Sequence, residues 1–303
     1  MFQKQLMMRR VLYALTPIFL FSVYLYGWRS VAVLAVSLIL GSLTEYIVEK
    51  GRQKKVSEAV LVTGVLFAMA LPPKTPLWVV AVGIVFAVFM GKEVYGGFGR
   101  NVFNPALTGR LFIYITFPTL LAASWMTPGN SGAAADTVSA ATPLMMLHSG
   151  AATELRLSDL FFGLHGGSIG ESSIVLILLA GVYLVYTKTA SWRIILSTFG
   201  SAAALSIALD LLGVPGAFPA LKSLMSGSLL FISVFMATDP VSAPKKTPAQ
   251  VIFGIVIGTV AVLLRLFSAF PEGTSFAVLV GNTFASLIDE LVARKPETKG
   301  AAA

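Results

Sequence analysis

The chain has no cysteine in its 303 residues. Disulfides are therefore excluded, and so is thiolate ligation of zinc or of an iron–sulfur cluster by this chain. If electrons pass through it, a flavin or another bound cofactor must carry them. Charge is scarce too. Only 12% of residues are Asp, Glu, Lys or Arg, about half the roughly 25% of a soluble domain. Histidine is nearly missing, with His148 and His165 alone, both in one polar stretch. Two histidines without cysteine make a poor metal site, and none is expected.

What fills the chain instead is apolar. Hydrophobic residues make up 56% of it and the mean hydropathy is +0.83. A membrane helix needs about 20 mostly apolar residues. Ten segments qualify approximately: 11–27, 31–48, 58–72, 76–95, 104–123, 173–189, 193–212, 223–238, 249–268 and 275–292. The expectation is an all-α polytopic membrane protein of about ten transmembrane helices. The basic start (Lys4, Arg9, Arg10) precedes an apolar run with no small-residue cleavage site after it, so it reads as a retained first span. Trp28, Trp78, Trp125 and Trp192 fall near segment ends, as an aromatic belt requires.

The net charge of +8 does not point to nucleic acid, because the bases follow topology. With a cytoplasmic N-terminus, 17 of the 22 Lys and Arg residues fall on inside segments. Lys92, Arg100, Arg110, Lys188, Arg193, Lys245 and Lys246 are among them. Both termini are then cytoplasmic, and the long 124–172 segment lies outside. Three regions follow: a membrane half over 1–123, an outer loop over 124–172 and a second membrane half over 173–303.

Two sets of five spans must run inverted to each other, since five is odd. The third segment ends at Pro72-Pro73 and the eighth at Asp239-Pro240, and these are the two shortest segments. Proline removes a backbone donor and stops a helix. Short or broken segments at matching positions of two halves point to a buried site.

Three strings carry chemistry. Asp136-Thr-Val-Ser139-Ala-Ala-Thr142 is polar and small in the exported loop. Read by itself, it could be a plain Ser/Ala/Thr linker. In Gly99-Arg-Asn101-Val-Phe-Asn104-Pro-Ala-Leu-Thr-Gly109-Arg110, two amides stand at i and i+3 on one helical face. They suit a ring edge with alternating carbonyl and NH groups. Asn104-Pro105 also reads as a plain N-cap and first helical position. Arg110 either pairs with an acid or snorkels. Phe235-Met-Ala-Thr238-Asp239-Pro places a carboxylate at the inner end of a short span. Glu45, Glu93, Asp210, Asp289 and Glu290 are lesser candidates, each close enough to a span end to be interfacial.

These strings together resemble one family: the D component of the Rnf ion-translocating oxidoreductase and the related B component of the sodium-pumping NADH:quinone reductase. The first string is similar to the D-x-x-[S/T]-G-A-T signature at which a flavin transferase esterifies FMN phosphate to the last threonine. Ala140 stands where glycine is usual. The resemblance implies covalent FMN on Thr142, with Asp136 and Ser139 in the attachment motif, and the two histidines are then loop residues or neighbours of the ring. It further implies non-covalent riboflavin on Asn101 and Asn104, and Asp239 coupling flavin reduction to cation or proton binding. It implies inverted five-helix halves in the bacterial inner membrane, with FMN on the outer face. The Rnf branch is the expectation, because only about ten residues precede the first segment. That reading implies ferredoxin:NAD oxidoreduction coupled to sodium or proton transport. Its partners would be the A, B, C, E and G components of Rnf and a flavin transferase. The alternatives are the quinone-reductase branch and a non-redox channel like the urea transporters.

Overall fold

The computed structural model describes residues 2–129, 141–268 and 273–293. Asp136 and Ser139 of the attachment motif lie outside them. The elements in chain order are α1 (Leu6–Tyr26), α2 (Trp28–Gly51), α3 (Ala59–Met69), α4 (Leu77–Val88), α5 (Pro105–Thr116), α6 (Pro118–Ala122), α7 (Pro143–His148), α8 (Leu157–Phe162), α9 (Ile174–Tyr186), α10 (Trp192–Leu211), α11 (Ala220–Met225), α12 (Leu229–Phe235), α13 (Thr247–Phe267) and α14 (Gly273–Ala293). A π-helical turn, Phe89–Glu93, prolongs α4. Among the described residues the only extended pairing joins Phe2–Gln3 to Val56–Ser57 in parallel. The chain is a polytopic all-α membrane protein.

Among the described residues, five helices are long and apolar enough to cross a membrane: α1, α2, α10, α13 and α14. The other five apolar segments hold shorter pieces. With 11 residues, α3 rises about 17 Å, and with 7, α12 rises about 10 Å. Neither crosses a hydrocarbon core of about 30 Å alone. Both stop where expected, α3 just before Pro72-Pro73 and α12 just before Asp239-Pro240.

The tail of the 124–172 segment turns inward and meets both short helices. The Gly170 amide donates to the Met69 carbonyl at 2.6 Å, and that of Ile169 to the Leu71 carbonyl at 3.0 Å. The last carbonyl of α3, that of Met69, and that of Leu71 just beyond it are satisfied in this way. A side chain at Gly170 would meet Met69 at 2.8 Å and Phe231 at 3.0 Å. Only glycine fits this wedge between α3 and α12. Part of the segment read as an exported loop is therefore interior.

Between lipid-facing helices the hydrophobic effect supplies little drive, so close packing must hold the bundle. Small residues provide it. Gly254 and Gly258, one turn apart on α13, lie against Ser197 and Ser201 of α10, leaving no room for a Cβ. Phe86 of α4 stacks on Phe112 of α5 at 3.9 Å between ring centroids. The Asn282 side chain of α14 accepts from the Asn104 backbone amide at 3.2 Å and donates to the Ser242 carbonyl, tying the two halves together.

Candidate functional site

Two cavities stand at opposite ends of α1. The first turns of α1 line an inner cleft with Met7, Met8 and Val11. Its last residue, Tyr26, bonds the Ser172 hydroxyl and the His165 carbonyl beside the outer cavity. The 21 residues between span about 30 Å.

Asn101, Asn104 and Asp239 all line the inner cleft, together with Lys92 and Phe98. Sequence reasoning brought the first three together; it missed the other two. Asn104 caps α5: its Oδ1 accepts from the Ala106 and Leu107 amides at 3.0 and 3.3 Å, and its Nδ2 donates to the Met236 carbonyl. The amide is thus engaged in the structural role that the Asn-Pro pair allows. The Asn101 amide donates to the Phe103 carbonyl at 3.0 Å. Asp239 lies in the turn after α12 and accepts from the Val241 amide and the Ser242 hydroxyl. Desolvation by the surrounding chain pushes its carboxyl pKa up, and those bonds offset part of the rise. The cleft holds about 60 Å³. Pockets for drug-sized ligands run from about 300 to 1,000 Å³. As it stands, the cleft does not fit a flavin ring.

Lys92 is a correction, and Arg110 takes the acid-paired one of its two alternatives. Both were counted as inner-surface charges, yet Lys92 is 1% exposed and Arg110 0%. Lys92 donates to Glu45 at 2.6 Å and to the Ser57 hydroxyl at 2.7 Å. Arg110 donates to Glu171 at 3.0 Å and lies over the Tyr114 ring. Glu171 comes from the inward tail of the 124–172 segment. Glu93, on the π-helical turn, is fully buried and paired with Arg52. Asp289 and Asp210 are plain caps: Asp289 accepts from the Lys245 and Lys246 amides, Asp210 from that of Ala220.

The outer cavity holds about 670 Å³, and Thr142 lines it. Thr142 is the N-cap of α7, with its hydroxyl oxygen 3.3 Å from the Met145 amide, and Pro143 is the first helical residue. The two repeat the Asn104-Pro105 pattern. Tyr114, Trp125, His148 and His165 contribute to the walls. His148 has its ring nitrogens 2.8 and 3.0 Å from the Leu144 and Arg265 carbonyl oxygens, fastening α7 to α13. His165 differs. Its Nδ1 lies 3.0 Å from the Gly166 carbonyl, while its buried Nε2 has no hydrogen-bond partner among the described residues. Burial lowers its pKa. The imidazole is then neutral, and the Gly166 contact leaves Nε2 as an acceptor. A cavity of this size, aromatic walls and an orphaned acceptor fit a flavin. Tyr114 lies ten residues beyond Asn104 on α5, so the linings of the two cavities come within about 15 Å.

The family model described as NQR2, RnfD, RnfE family matches residues 2–297. The chain belongs to this family. Among its relatives is the B component of the Na(+)-translocating NADH-quinone reductase of Pseudoalteromonas atlantica (strain T6c / ATCC BAA-1087), 40% identical over 285 residues, which are 90% of this chain and 69% of the relative. The protein of the same name from Azotobacter vinelandii (strain DJ / ATCC BAA-1303) is 41% identical over 266 residues, 85% of this chain and 65% of the relative. That from Ectopseudomonas mendocina (strain ymp) is 41% identical over 272 residues, 86% and 66%. The chain spans about two thirds of the length of these curated relatives. Their names match the quinone-reductase alternative better than the Rnf branch that the sequence reading preferred. For an NQR2, RnfD, RnfE family member, Thr142 and the cavity it lines are the principal candidate site.

Proposed function

We propose that the chain is the flavin-bearing membrane component of an ion-translocating electron-transport complex of the NADH-quinone reductase type. FMN is joined through its phosphate to Thr142 by a flavin transferase. The observation that carries this reading is that Thr142 lines a cavity of about 670 Å³, where a plain surface linker would have none. FMN supplies reversible electron acceptance. The chain does the rest. Trp125 and Tyr114 offer the ring an apolar wall, and His165 Nε2 accepts from a ribityl hydroxyl or a ring N–H. The Arg110–Glu171 pair sets a fixed dipole beside the cavity, and such surroundings tune a cofactor's potential.

Ten spans in two inverted halves, with Thr142 on the outer face of the inner membrane, complete the proposal. The short α3 and α12 and the Asn104–Asn282 contact support the repeat. Riboflavin at Asn101 and Asn104 stays a proposal that requires Phe98 and the α1 methionines to move aside; no electron step is assigned to it. Asp239 is proposed as the acid that answers charge arriving nearby, with sodium as the ion that the relatives' names favour.

The test is the assembled complex in the native membrane. Sodium-stimulated NADH:quinone activity is expected, and Thr142→Val should remove it. Ferredoxin:NAD activity without quinone reduction would return the chain to the Rnf branch. Full activity in the Thr142→Val complex would overturn the FMN role.

A further inference from the structure

A third cleft, of about 600 Å³, opens where α9 ends and where α10 and α13 begin. Lys188, Arg193 and Lys245 line it, with Trp192, Ser191 and Gln250. The basic residues were read above only as topology signals, and the proposed function leaves them unused.

Three observations converge on this place. First, no carboxylate among the described residues pairs with Lys188, Arg193 or Lys245. Asp289 touches the 245–246 turn through the Lys245 and Lys246 backbone amides, and its single charge leaves the three cations in excess. Three cations around a concave space repel one another unless an anion enters. Second, the first turn of α10 forms part of the lining and no side chain caps it, since the Ser191 hydroxyl donates to Gln250 instead. The orphan amides and the positive end of a 20-residue helix dipole add to the attraction for an anion. Third, the depth is that of lipid headgroups. Both α10 and α13 are long enough to cross a membrane and both start here. Tyr186 and Trp192, 85% and 50% exposed, flank the cleft as interfacial aromatics do. Arg193 lies over the Trp192 ring at 5.0 Å, which holds its guanidinium beside the opening.

We propose that this cleft binds the phosphate group of an anionic phospholipid, whose acyl chains run along α9 and α10 while Lys188, Arg193 and Lys245 hold the headgroup. Membrane depth favours the lipid over a free phosphate, because a soluble anion gains nothing from the flanking apolar surface. Thr189, Ala190, Thr238 and Pro240 line both this cleft and the inner cleft of Asp239. A bound headgroup would therefore close that side of the Asp239 site. The proposal stands whether or not Thr142 carries FMN.

The test uses the full chain in nanodiscs of phosphatidylcholine with increasing phosphatidylglycerol, followed by native mass spectrometry of the released protein. The wild type is expected to retain phosphatidylglycerol over phosphatidylcholine. The triple variant Lys188→Gln, Arg193→Gln, Lys245→Gln should retain at least tenfold less, since each basic residue near the membrane surface contributes about fivefold. Its unfolding temperature in pure phosphatidylcholine should match the wild type, which separates loss of the site from loss of the fold. Independently, brominated phosphatidylglycerol should quench wild-type fluorescence more than that of Trp192→Phe. Retention unchanged by inorganic phosphate at tens of millimolar supports the lipid. Complete displacement by phosphate would overturn it in favour of a free anion. Equal retention by wild type and triple variant, or no preference over phosphatidylcholine, would overturn the site itself.

Discussion

Asn104 and Asn101 look equivalent in sequence and differ in the fold. Asn104 spends both ends of its amide on the α5 cap and on the Met236 carbonyl, so Asn104→Ala should cost about 1 kcal/mol of stability. Asn101 makes one short-range bond, and Asn101→Ala should leave the thermal midpoint near wild type. If the inner cleft widens to take riboflavin, extractable riboflavin falls in the Asn101 variant while covalent flavin stays; unchanged riboflavin would remove Asn101 from the site. Asp239 invites a pH experiment. A carboxyl whose native pKa is raised binds its proton more readily folded than unfolded. Its contribution to stability is therefore fully present below the ordinary aspartate value of about 3.9 and is lost as pH rises through the raised native value. Asp239→Asn should gain on the wild type across that rise in a thermal-unfolding series. A constant offset at every pH would contradict the shift.

At the scale of elements, much was legible and some was not. Apolar runs located the helices, because a membrane demands them wherever the chain crosses. Asn104-Pro105 announced the start of α5 through local chemistry alone. That α3 and α12 are short and stop ahead of their prolines was legible, but the inserted loop that meets them was not. Hydropathy counts apolar residues, and Leu71, Ile169 and Gly170 are as apolar or small in an inserted loop as in a helix. What covers the end of α3 is a hydrogen bond from a residue 101 positions later, Gly170 to Met69. Lys92 was misplaced, and the acid that Arg110 pairs with stayed unnamed, for the same reason: their partners Glu45 and Glu171 stand 47 and 61 residues away. The α10–α13 contact gives the clearest test of packing. Gly258→Leu puts a side chain where Ser201 already sits, and overpacking of this kind costs about 1–3 kcal/mol. A lower unfolding temperature in detergent is expected, whereas an unchanged one would mean that the two helices do not approach so closely.

For the whole molecule, the arrangement is a bundle with a cavity near each end, spanned by α1 and linked by α5. The charge bias that sets the orientation survives the loss of Lys92 and Arg110 from the count, because 15 Lys and Arg residues still fall on the inside segments against 5 outside. Absence of native cysteine makes labelling clean. Lys54→Cys should react with an impermeant maleimide only from the cytoplasmic side and Glu154→Cys only from the outside. Both positions are exposed. The reverse pattern would invert the protein and move Thr142 to the inner face.

The central claim is that Thr142 carries a flavin, and intact-mass spectrometry of the chain produced alongside its flavin transferase tests it most directly. The hydroxyl must be the attachment point, and it also caps α7. Two substitutions separate these roles. Thr142→Ser keeps a capping oxygen and a nucleophilic hydroxyl, while Thr142→Val removes both at a cost of about 1 kcal/mol. The account predicts an FMN-sized adduct on the wild type, at most a reduced fraction on Thr142→Ser, and none on a folded, membrane-inserted Thr142→Val. An adduct that persists on Thr142→Val, or a wild-type chain at its bare mass, would contradict it.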